Sequence, residues 1–430
     1  MRGAARPALV AALVAVPALL HAQDARPPEP PPAEDDGGYG ATPGALVPFR
    51  GAGAPARRFF VTAPEFRGPG RDDPPPADLD AVRIGLLAPL RGPDVRAGKA
   101  MQEATRMAFE EANAAGGFGP SHLPFELLVR DETGTWGAAG EAAVELTFDR
   151  GAWGILGGYE DANSHVLSRV LLKLEVPNLN ATGVDPTLTE HNIPWLVRVR
   201  PDDRQTSYRL AQKVFEEDAR TRVVLFRANS RYGRTGTGEF KDAARRLHHP
   251  ILLETRYEPG DTPESPEFAA RVARIRDLAP DAVVLWGRPG PTAVAVKALR
   301  AAGVTCALYG PDRVAAPEFL ESAGDAAEGF VFTYPMDPRP GRAAWDAFRA
   351  RWRERCGDEP DATAAFSYDA ARMLVDAVRE AGLNRARIRD VLFARRTYEG
   401  VAGTIRLDVT GNDTVRPVLG RVAGGRFVFE

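Results

Sequence analysis

The chain has 430 residues, of which 44% are hydrophobic and 26% are charged, and its formal net charge is −3. This length allows two or three domains, and the hydrophobic content is typical of a globular protein. The near-neutral charge gives no reason to expect a nucleic-acid partner, and no block of like charge indicates binding to a membrane surface.

The first residues have the pattern of a secretory signal peptide. Arg2 and Arg6 precede the apolar run 7–20, and Ala22 is a small residue at a suitable cleavage position. We therefore expect residues 1–22 to be a cleaved signal peptide and the mature protein to be periplasmic. The alternative is an uncleaved anchor, but the run is short for a membrane span. Because no Cys lies near the cleavage position, we do not expect a lipid anchor there.

Residues 23–80 are rich in proline and lack helical or strand periodicity. Such a segment buries too little apolar surface to offset the entropy that ordering costs, so we predict a disordered, partly polyproline linker. One apolar island, residues 57–61, could dock on the folded part or on a partner, although a solvated tail is the simpler interpretation.

The chain has two cysteines, Cys306 and Cys356. In an oxidising compartment they could form a disulfide. Cys306 lies in a predicted strand and Cys356 at the end of a predicted helix. Since the sequence does not show whether the two meet, pairing stays open, and we favour two separate thiols.

From Ala81 onward, short apolar runs alternate with amphipathic helical patterns. This alternation predicts an α/β fold with doubly wound parallel sheets. The most economical division has two lobes with a late return to the first. Lobe 1 is predicted to contain residues 81–200 and 339–414, and lobe 2 residues 201–338 and 415–430.

The stretch 153–174 is the first place to expect a ligand. A short apolar run is followed by Gly157 and Gly158, then a polar turn that contains Tyr159 and Asp161, then apolar residues at helical spacing. This pattern predicts a strand, a glycine turn and a helix. In open parallel sheets, ligands bind at the carboxyl ends of the strands, where helix N-termini present N–H groups.

The order of several motifs resembles that of type I periplasmic solute-binding proteins, most closely the branched-chain amino acid binding components of ABC transporters. The resemblance covers about residues 81–430. The motifs that carry it are IGLLAPLRGP, EEANAAGG, VPNLNATGVDPTLT, RVRPDDRQ, ANSRYGRTG, LYGPD, GDAAEGFVFTYP and FSYDAARMLVDA. The resemblance implies two Rossmann-like lobes, joined by a three-segment hinge, that close on a small-molecule ligand. It also implies an ABC permease partner in the inner membrane, and we expect the binding protein to be a monomer.

In lobe 1, the resemblance places Asp161 where the family usually has a serine that binds the ligand carboxylate. Gly183 and Val184 stand where the family has alanine and threonine, so the expected hydroxyls are missing. With Tyr159 and Thr182, these residues are the predicted ligand contacts, and backbone N–H groups would remain available. Asp161 has an alternative role as a cap of the following helix.

In lobe 2, the resemblance makes Tyr232 an aromatic cover of the ligand. Asp312 matches an acid that pairs with the ligand ammonium, although it is one carbon shorter than the usual glutamate. Arg288 lies where the family often has aromatic residues, and Tyr368 matches a return segment near the cleft. Trp136 could line the entrance.

Arg227, Arg231 and Arg288 together indicate a basic rim on lobe 2 opposite an acidic rim on lobe 1. This arrangement could form an interlobe salt bridge or a site for an anionic or zwitterionic ligand, and both alternatives stay open. Each arginine taken singly could also be a solvated surface charge.

The sequence contains no Gly-x-Ser-x-Gly, His-Glu-x-x-His or Cys-x-x-Cys motif, and its six His residues form no ligand constellation. The glycine-rich run 233–238 lacks the Lys-Ser/Thr pair of a P-loop and is predicted to be a loop that enters a helix. We therefore expect no enzyme activity, no cofactor and no metal.

The predicted function is an exported solute-binding protein that captures a small polar ligand, such as an amino acid or a related amide or organic acid, for an ABC importer. The changed cleft positions make an ordinary branched-chain amino acid doubtful. The alternative is a ligand-sensing or protein-interaction module of the same fold that regulates an envelope enzyme. A hydrolase on an α/β scaffold is disfavoured by the missing motifs.

Overall fold

The structure is a computed structural model, and it describes residues 62–76, 78–134 and 137–430. The predicted signal peptide, the island 57–61 and Trp136 lie outside the described residues.

Strands and helices alternate along most of the described chain. The strands, in chain order, are β1 (Val82–Ala88), β2 (Phe125–Asp131), β3 (Gly154–Gly157), β4 (Asn178–Asn180), β5 (Leu196–Pro201), β6 (Val223–Ala228), β7 (Leu253–Tyr257), β8 (Ala282–Trp286), β9 (Ala307–Gly310), β10 (Val331–Tyr334), β11 (Thr397–Glu399), β12 (Thr404–Arg406), β13 (Asn412–Asp413), β14 (Val418–Ala423) and β15 (Arg426–Phe429). The α-helices are α1 (Val95–Ala114), α2 (Ala138–Val144), α3 (Asp161–Leu174), α4 (Asp203–Ala211), α5 (Arg231–Arg246), α6 (Pro266–Asp277), α7 (Pro289–Ala301), α8 (Pro317–Ala323), α9 (Ala343–Cys356), α10 (Ala362–Ala381) and α11 (Arg385–Ala394).

Two large sheets organise the chain. The sheet of lobe 1 has the order β13-β5-β4-β3-β1-β2, and every pairing in it is parallel. The sheet of lobe 2 has the order β15-β14-β10-β9-β8-β6-β7, in which β14 and β15 are antiparallel at one edge. Strands β11 and β12 form a separate pair. The predicted α/β fold with parallel sheets is confirmed.

The central strands are largely buried because helices cover both faces of each sheet. In β8, all five residues are buried, and in β1 six of seven are buried. Strand β8 ends at Trp286, whose side chain is fully buried. Such strands read as continuous apolar runs in the sequence, which is why their positions could be predicted.

The chain crosses between the lobes after β5, after β10 and after β13. The first and third crossings are joined by Arg198, which is fully buried. Its guanidinium donates to Asn412 Oδ1 at 2.8 Å, to Asp202 Oδ2 at 2.6 Å and to the Asp185 carbonyl at 2.5 Å. Asp202 also forms a capping box with Gln205 at the start of α4. The cluster therefore fixes the point at which the chain leaves lobe 1.

The glycine-rich run 233–238 lies inside α5, and the predicted loop in this region is wrong. Ser230 caps the helix by accepting the Gly233 N–H at 3.0 Å. A Cβ atom added at Gly236 would lie 2.0 Å from the indole of Trp286. Glycine is therefore required because α5 packs closely on the sheet of lobe 2, which a local reading of the sequence could not detect.

Residues 62–76 form a segment that we call the N-terminal strap, and it packs on lobe 1. The ring centroid of Phe66 lies 4.6 Å from that of Trp195. The Nε atom of Arg71 donates to Asp390 Oδ2 at 2.9 Å. An aromatic contact and an ion pair are thus among the contacts that attach the strap to the lobe.

A further bond holds the strap, because Asn384 Nδ2 donates to the Gly70 carbonyl at 2.6 Å. The disordered linker predicted for residues 23–80 is therefore wrong for the strap. Its contacts come from isolated residues rather than from a periodic apolar pattern, so no local pattern in the sequence predicts them.

Cys306 and Cys356 are both free thiols, as we favoured. Cys306 precedes β9 in lobe 2, whereas Cys356 ends α9. Among the described helices, none has both the length and the apolar character needed to cross a membrane.

Replacing Phe66 by Ala tests the strap. We expect Phe66→Ala to lower the free energy of unfolding by about 1 to 2 kcal/mol, because it removes partly buried aromatic surface from Trp195. Urea unfolding followed by tryptophan fluorescence measures the change. Glu65→Ala is the matched control, since Glu65 is exposed and its ion pair with Arg67 lies at the surface. Equal stabilities of the two variants would contradict a contribution from the strap.

Candidate functional site

The carboxyl ends of the strands in the two sheets face a common cleft, which holds a cavity of about 480 Å³. Both lobes contribute charged and polar side chains to its wall. The polar lining residues are Asp94, Arg96, Tyr159, Thr182, Arg200, Arg288, Asp312, Arg313, Glu318, Tyr334, Asp361 and Thr363. This is the position at which α/β sheets usually bind ligands.

Asp161 has a structural role that neither predicted alternative describes. It lies at the start of α3, but the structure gives no side-chain hydrogen bond at the cap, Glu160. Its Oδ1 atom instead accepts the N–H groups of Val184 at 2.9 Å and Asp185 at 3.2 Å. Asp161 is buried and does not line the cavity. It therefore holds the loop after β4 against the turn after β3.

The backbone of that loop is bonded within lobe 1. Asn180 Oδ1 accepts the N–H groups of Thr182 at 3.0 Å and Gly183 at 2.6 Å. With the two bonds to Asp161, every N–H from Thr182 to Asp185 has a partner. The expectation that these N–H groups remain available to a ligand is therefore wrong. Val184 is buried in one apolar cluster with Tyr232, whereas the Thr182 side chain lines the cavity.

Glu132 supports the turn after β3, and sequence analysis missed it. Its Oε1 atom accepts the N–H of Tyr159 at 2.6 Å. Its Oε2 atom is buried and has no hydrogen-bond partner among the described residues. Burial raises the pKa of this carboxyl from an ordinary 4.5 to about 8. Glu132 therefore carries a proton over much of the physiological pH range.

Arg313 contacts two tyrosines that come from opposite lobes. The guanidinium carbon is 4.8 Å from the ring centroid of Tyr159 and 4.7 Å from that of Tyr232. These distances are those of cation–π contacts. Tyr232 does not line the cavity, and its buried hydroxyl has no hydrogen-bond partner in the described part of the chain. Tyr232 therefore contacts Arg313, which lines the cavity, and is not itself part of the cavity wall.

Asp312, the predicted partner of a ligand ammonium, is paired with an arginine of lobe 1. Arg200 Nη2 donates to Asp312 Oδ2 at 2.5 Å, and both side chains line the cavity. Both are buried. The Oδ1 atom of Asp312 and the Nε atom of Arg200 have no hydrogen-bond partner among the described residues.

Two arginines of lobe 2 make interlobe salt bridges at the rim of the cleft. Arg288 pairs with Asp94 and with Glu160. Arg231 Nη2 lies 2.6 Å from Asp185 Oδ2. Arg288 and Arg231 therefore form interlobe salt bridges, which is one of the two alternatives that the sequence allowed.

Two other predicted residues lie away from the cavity. The Tyr368 hydroxyl donates to Glu111 Oε2 at 2.5 Å, and its ring packs on Phe348 with centroids 4.9 Å apart. The structure therefore does not bring Tyr368 to the ligand cavity, because α10 turns this side chain toward α1 and α9. Arg227 pairs with Glu254 within lobe 2 rather than across the cleft.

Asp203 is a further residue that the sequence did not single out. It is fully buried, and both carboxyl oxygens lack a hydrogen-bond partner among the described residues. Burial, together with the nearby carboxyls of Asp161 and Asp312, raises the pKa of Asp203 well above its ordinary value. The surroundings of Asp203 therefore favour its neutral form.

The missed residues had a weak signal in the sequence. Arg200 and Asp203 belong to the motif RVRPDDRQ, and Arg313 directly follows the motif LYGPD. Both motifs carry the family resemblance, but of their residues only Asp312 is a predicted ligand contact. In residues 62–76, 78–134 and 137–430, no group of three or more His, Cys, Asp or Glu side chains is arranged to hold a metal ion.

Replacing Asp161 tests its role in the loop. We expect Asp161→Ala to lower the free energy of unfolding by about 2 to 4 kcal/mol, because two buried N–H groups lose their acceptor. Asp161→Asn keeps one acceptor oxygen and should lose less. Urea unfolding measures both, with the exposed Asp149→Ala as control. A loss no larger for Asp161→Ala than for Asp149→Ala would contradict the role.

The raised pKa of Glu132 predicts a pH-dependent stability. The folded state binds this proton more tightly than the unfolded state does. The free energy of unfolding should therefore fall as the pH rises from about 5 to about 8. Glu132→Gln removes this titration and keeps an oxygen acceptor for Tyr159. Its stability relative to the wild type should therefore rise through this window, by at most about 1.4 kcal/mol per pH unit.

Urea unfolding at several pH values measures that difference. Glu141→Gln is the control, because Glu141 is exposed in the same lobe. A pH-independent difference between Glu132→Gln and the wild type would show that Glu132 has an ordinary pKa.

Comparison with known proteins shows the family. The model of the periplasmic binding protein family matches residues 81–420. The Leu/Ile/Val-binding protein homolog 1 of Brucella abortus is 23% identical over 333 residues, which are 77% of this chain and 87% of that protein. The Leu/Ile/Val-binding protein BraC3 of Rhizobium johnstonii is 25% identical over 304 residues, 70% of this chain and 80% of the relative.

Solved structures share the fold. The leucine-binding protein LivK of Thermotoga maritima has a TM-score of 0.74 at 24% identity and covers 81% of this chain and 98% of its own. LivJ of Streptococcus pneumoniae, in complex with isoleucine, has a TM-score of 0.73 at 21% identity, with coverages of 81% and 100%. A solute-binding protein of R. palustris, in complex with benzoate, has a TM-score of 0.72 at 18% identity, with coverages of 81% and 95%.

These similarities confirm the type I periplasmic binding protein fold. They also confirm the resemblance of the sequence motifs to the branched-chain amino acid binding components of ABC transporters. The chain belongs to the periplasmic binding protein family, as a solute-binding protein of the branched-chain amino acid ABC transporter type.

Proposed function

We propose that the protein captures a small polar solute, an amino acid or an aromatic or other organic acid, between its lobes in the periplasm and delivers it to an ABC importer. One observation carries the proposal. The cavity of about 480 Å³ lies where strand ends of both lobes meet, and charged side chains from both lobes form its wall. The volume suits a small molecule.

The mechanism follows from the two-sided wall. A solute that contacts Tyr159 of lobe 1 and Asp312 of lobe 2 at once makes its full set of contacts only when the lobes are closed. Such differential contacts shift the equilibrium of a hinged protein toward the closed state. The closed outline is then the form that a permease partner can distinguish from the open one.

The relatives support the class of solute and the compartment. Their names and bound ligands include Leu/Ile/Val, isoleucine and benzoate, which are all carboxylates. The family is periplasmic, in agreement with the signal peptide predicted for residues 1–22. These relatives are binding proteins, which supports binding rather than catalysis here.

Thermal unfolding in the presence of solutes tests capture. We expect at least one member of a panel of amino acids, amides, and aliphatic and aromatic acids to raise Tm, with an effect that grows with the logarithm of its concentration. At 100 times Kd the stabilisation is about 2.7 kcal/mol. Glucose serves as a solute outside the predicted class. A flat response of well-folded protein across the panel would contradict capture.

Delivery has a separate test with the solute found in this way. Cells that lack the gene should take up the labelled solute more slowly than cells that carry it, and the gene supplied in trans should restore the rate. Equal uptake by both strains would contradict delivery, while capture would stand.

A further inference from the structure

The side chain of Arg313 has hydrogen-bonding capacity that the protein does not use. A guanidinium has five N–H donors, and Arg313 is half-buried. The structure gives Arg313 one long hydrogen bond, from Nη2 to the Thr182 carbonyl at 3.5 Å, and no salt bridge to a described residue. The side chain lines the cavity, so its remaining N–H donors are accessible to a ligand in the cleft.

The other arginines of the cavity wall differ from Arg313 in this respect. Arg200 pairs with Asp312, and Arg288 pairs with acids of lobe 1. Arg96 lies within 3.9 Å of a carboxylate oxygen of Glu318. Within the described wall, Arg313 is therefore the arginine that lacks a carboxylate partner.

Tyr159 and Tyr232 hold the guanidinium in one orientation. The guanidinium carbon lies 4.8 Å from the ring centroid of Tyr159 and 4.7 Å from that of Tyr232. A planar fork that is stacked in this way is pre-organised for bidentate binding of a carboxylate. Because one tyrosine comes from each lobe, the complete stack exists only when the lobes are closed.

The acids near Arg313 are poorly suited to an ammonium group. Asp312 is already balanced by Arg200 at 2.5 Å, so an ammonium would add a second cation to a neutral pair. Asp161 uses its Oδ1 for two backbone N–H groups. Asp203 is fully buried and does not line the cavity, and burial favours its neutral form. The remaining oxygen of Asp312 suits a neutral donor such as a hydroxyl.

We propose that Arg313 binds the carboxylate of the solute, and that the cleft prefers a carboxylic acid without an α-ammonium group to the corresponding amino acid. This inference rests on the proposed capture of a small solute. It assigns to lobe 2 the carboxylate site that lobe 1 lacks, because the N–H groups of the loop after β4 are bonded within lobe 1.

Two matched sets of probes test the preference by isothermal titration calorimetry. Isocaproate, leucine and isoamylamine share one branched carbon chain and carry a carboxylate, both groups, or an ammonium. Phenylacetate, phenylglycine and benzylamine form the same series with an aromatic ring. In at least one series, the carboxylate should bind at least 10-fold more tightly than the amino acid, and the amine should not bind.

Arg313→Met should weaken binding of that carboxylate by about 10-fold to 100-fold, as expected for the loss of a charge-assisted hydrogen bond. Arg313→Lys keeps the charge without the fork and should lose less. Arg276→Met is the matched control, because Arg276 is an exposed arginine of α6 in the same lobe. Circular dichroism and the unfolding midpoint show whether each variant is folded.

The outcomes separate this inference from the proposed function. Equal or tighter binding of the amino acid, or unchanged carboxylate affinity in folded Arg313→Met, would overturn the inference and leave solute capture intact. If none of the six probes binds, the inference is contradicted, and the wider thermal panel decides on capture by itself. If Arg313→Met does not fold, the wild-type preference between acid and amino acid still decides.

Discussion

A buried cation, the guanidinium of Arg198, connects two of the three crossings between the lobes. A charge removed from water destabilises a protein by several kcal/mol unless its donors are bonded. Arg198 meets this requirement through Asp202 and Asn412, which belong to two different crossings, and through the Asp185 carbonyl. The need to satisfy one guanidinium therefore holds together the two points at which the chain leaves lobe 1, after β5 and after β13.

The contacts that close the cleft are unequal in strength. Arg288 and Arg231 keep 30% and 45% of their side-chain surface exposed, and solvent-exposed ion pairs contribute at most about 1 kcal/mol each. Arg200 and Asp312 are buried, but they leave one nitrogen and one oxygen without hydrogen bonds among the described residues. Of these three contacts, the two at the rim therefore stabilise the closed lobes only weakly.

The sequence predicted the architecture well because strand and helix patterns are local. A continuous apolar run such as β8 reports burial on both faces, whatever lies beside it. The site was less predictable, because its bonds join distant positions. Arg200 and Asp312 are 112 residues apart, and Asp161 accepts N–H groups more than 20 residues away. Family motifs marked these segments, but a motif does not state which side chain faces the cleft and which one supports the loop behind it.

The N-terminal strap has a consequence for how the molecule moves. Its contacts with Trp195, Asn384 and Asp390 are all with lobe 1. A rotation of lobe 2 about the crossings would therefore leave these contacts unchanged. Lobe 1 therefore stays fixed relative to the polypeptide that precedes the strap. An attachment made through that polypeptide would hold lobe 1 in place while lobe 2 rotates.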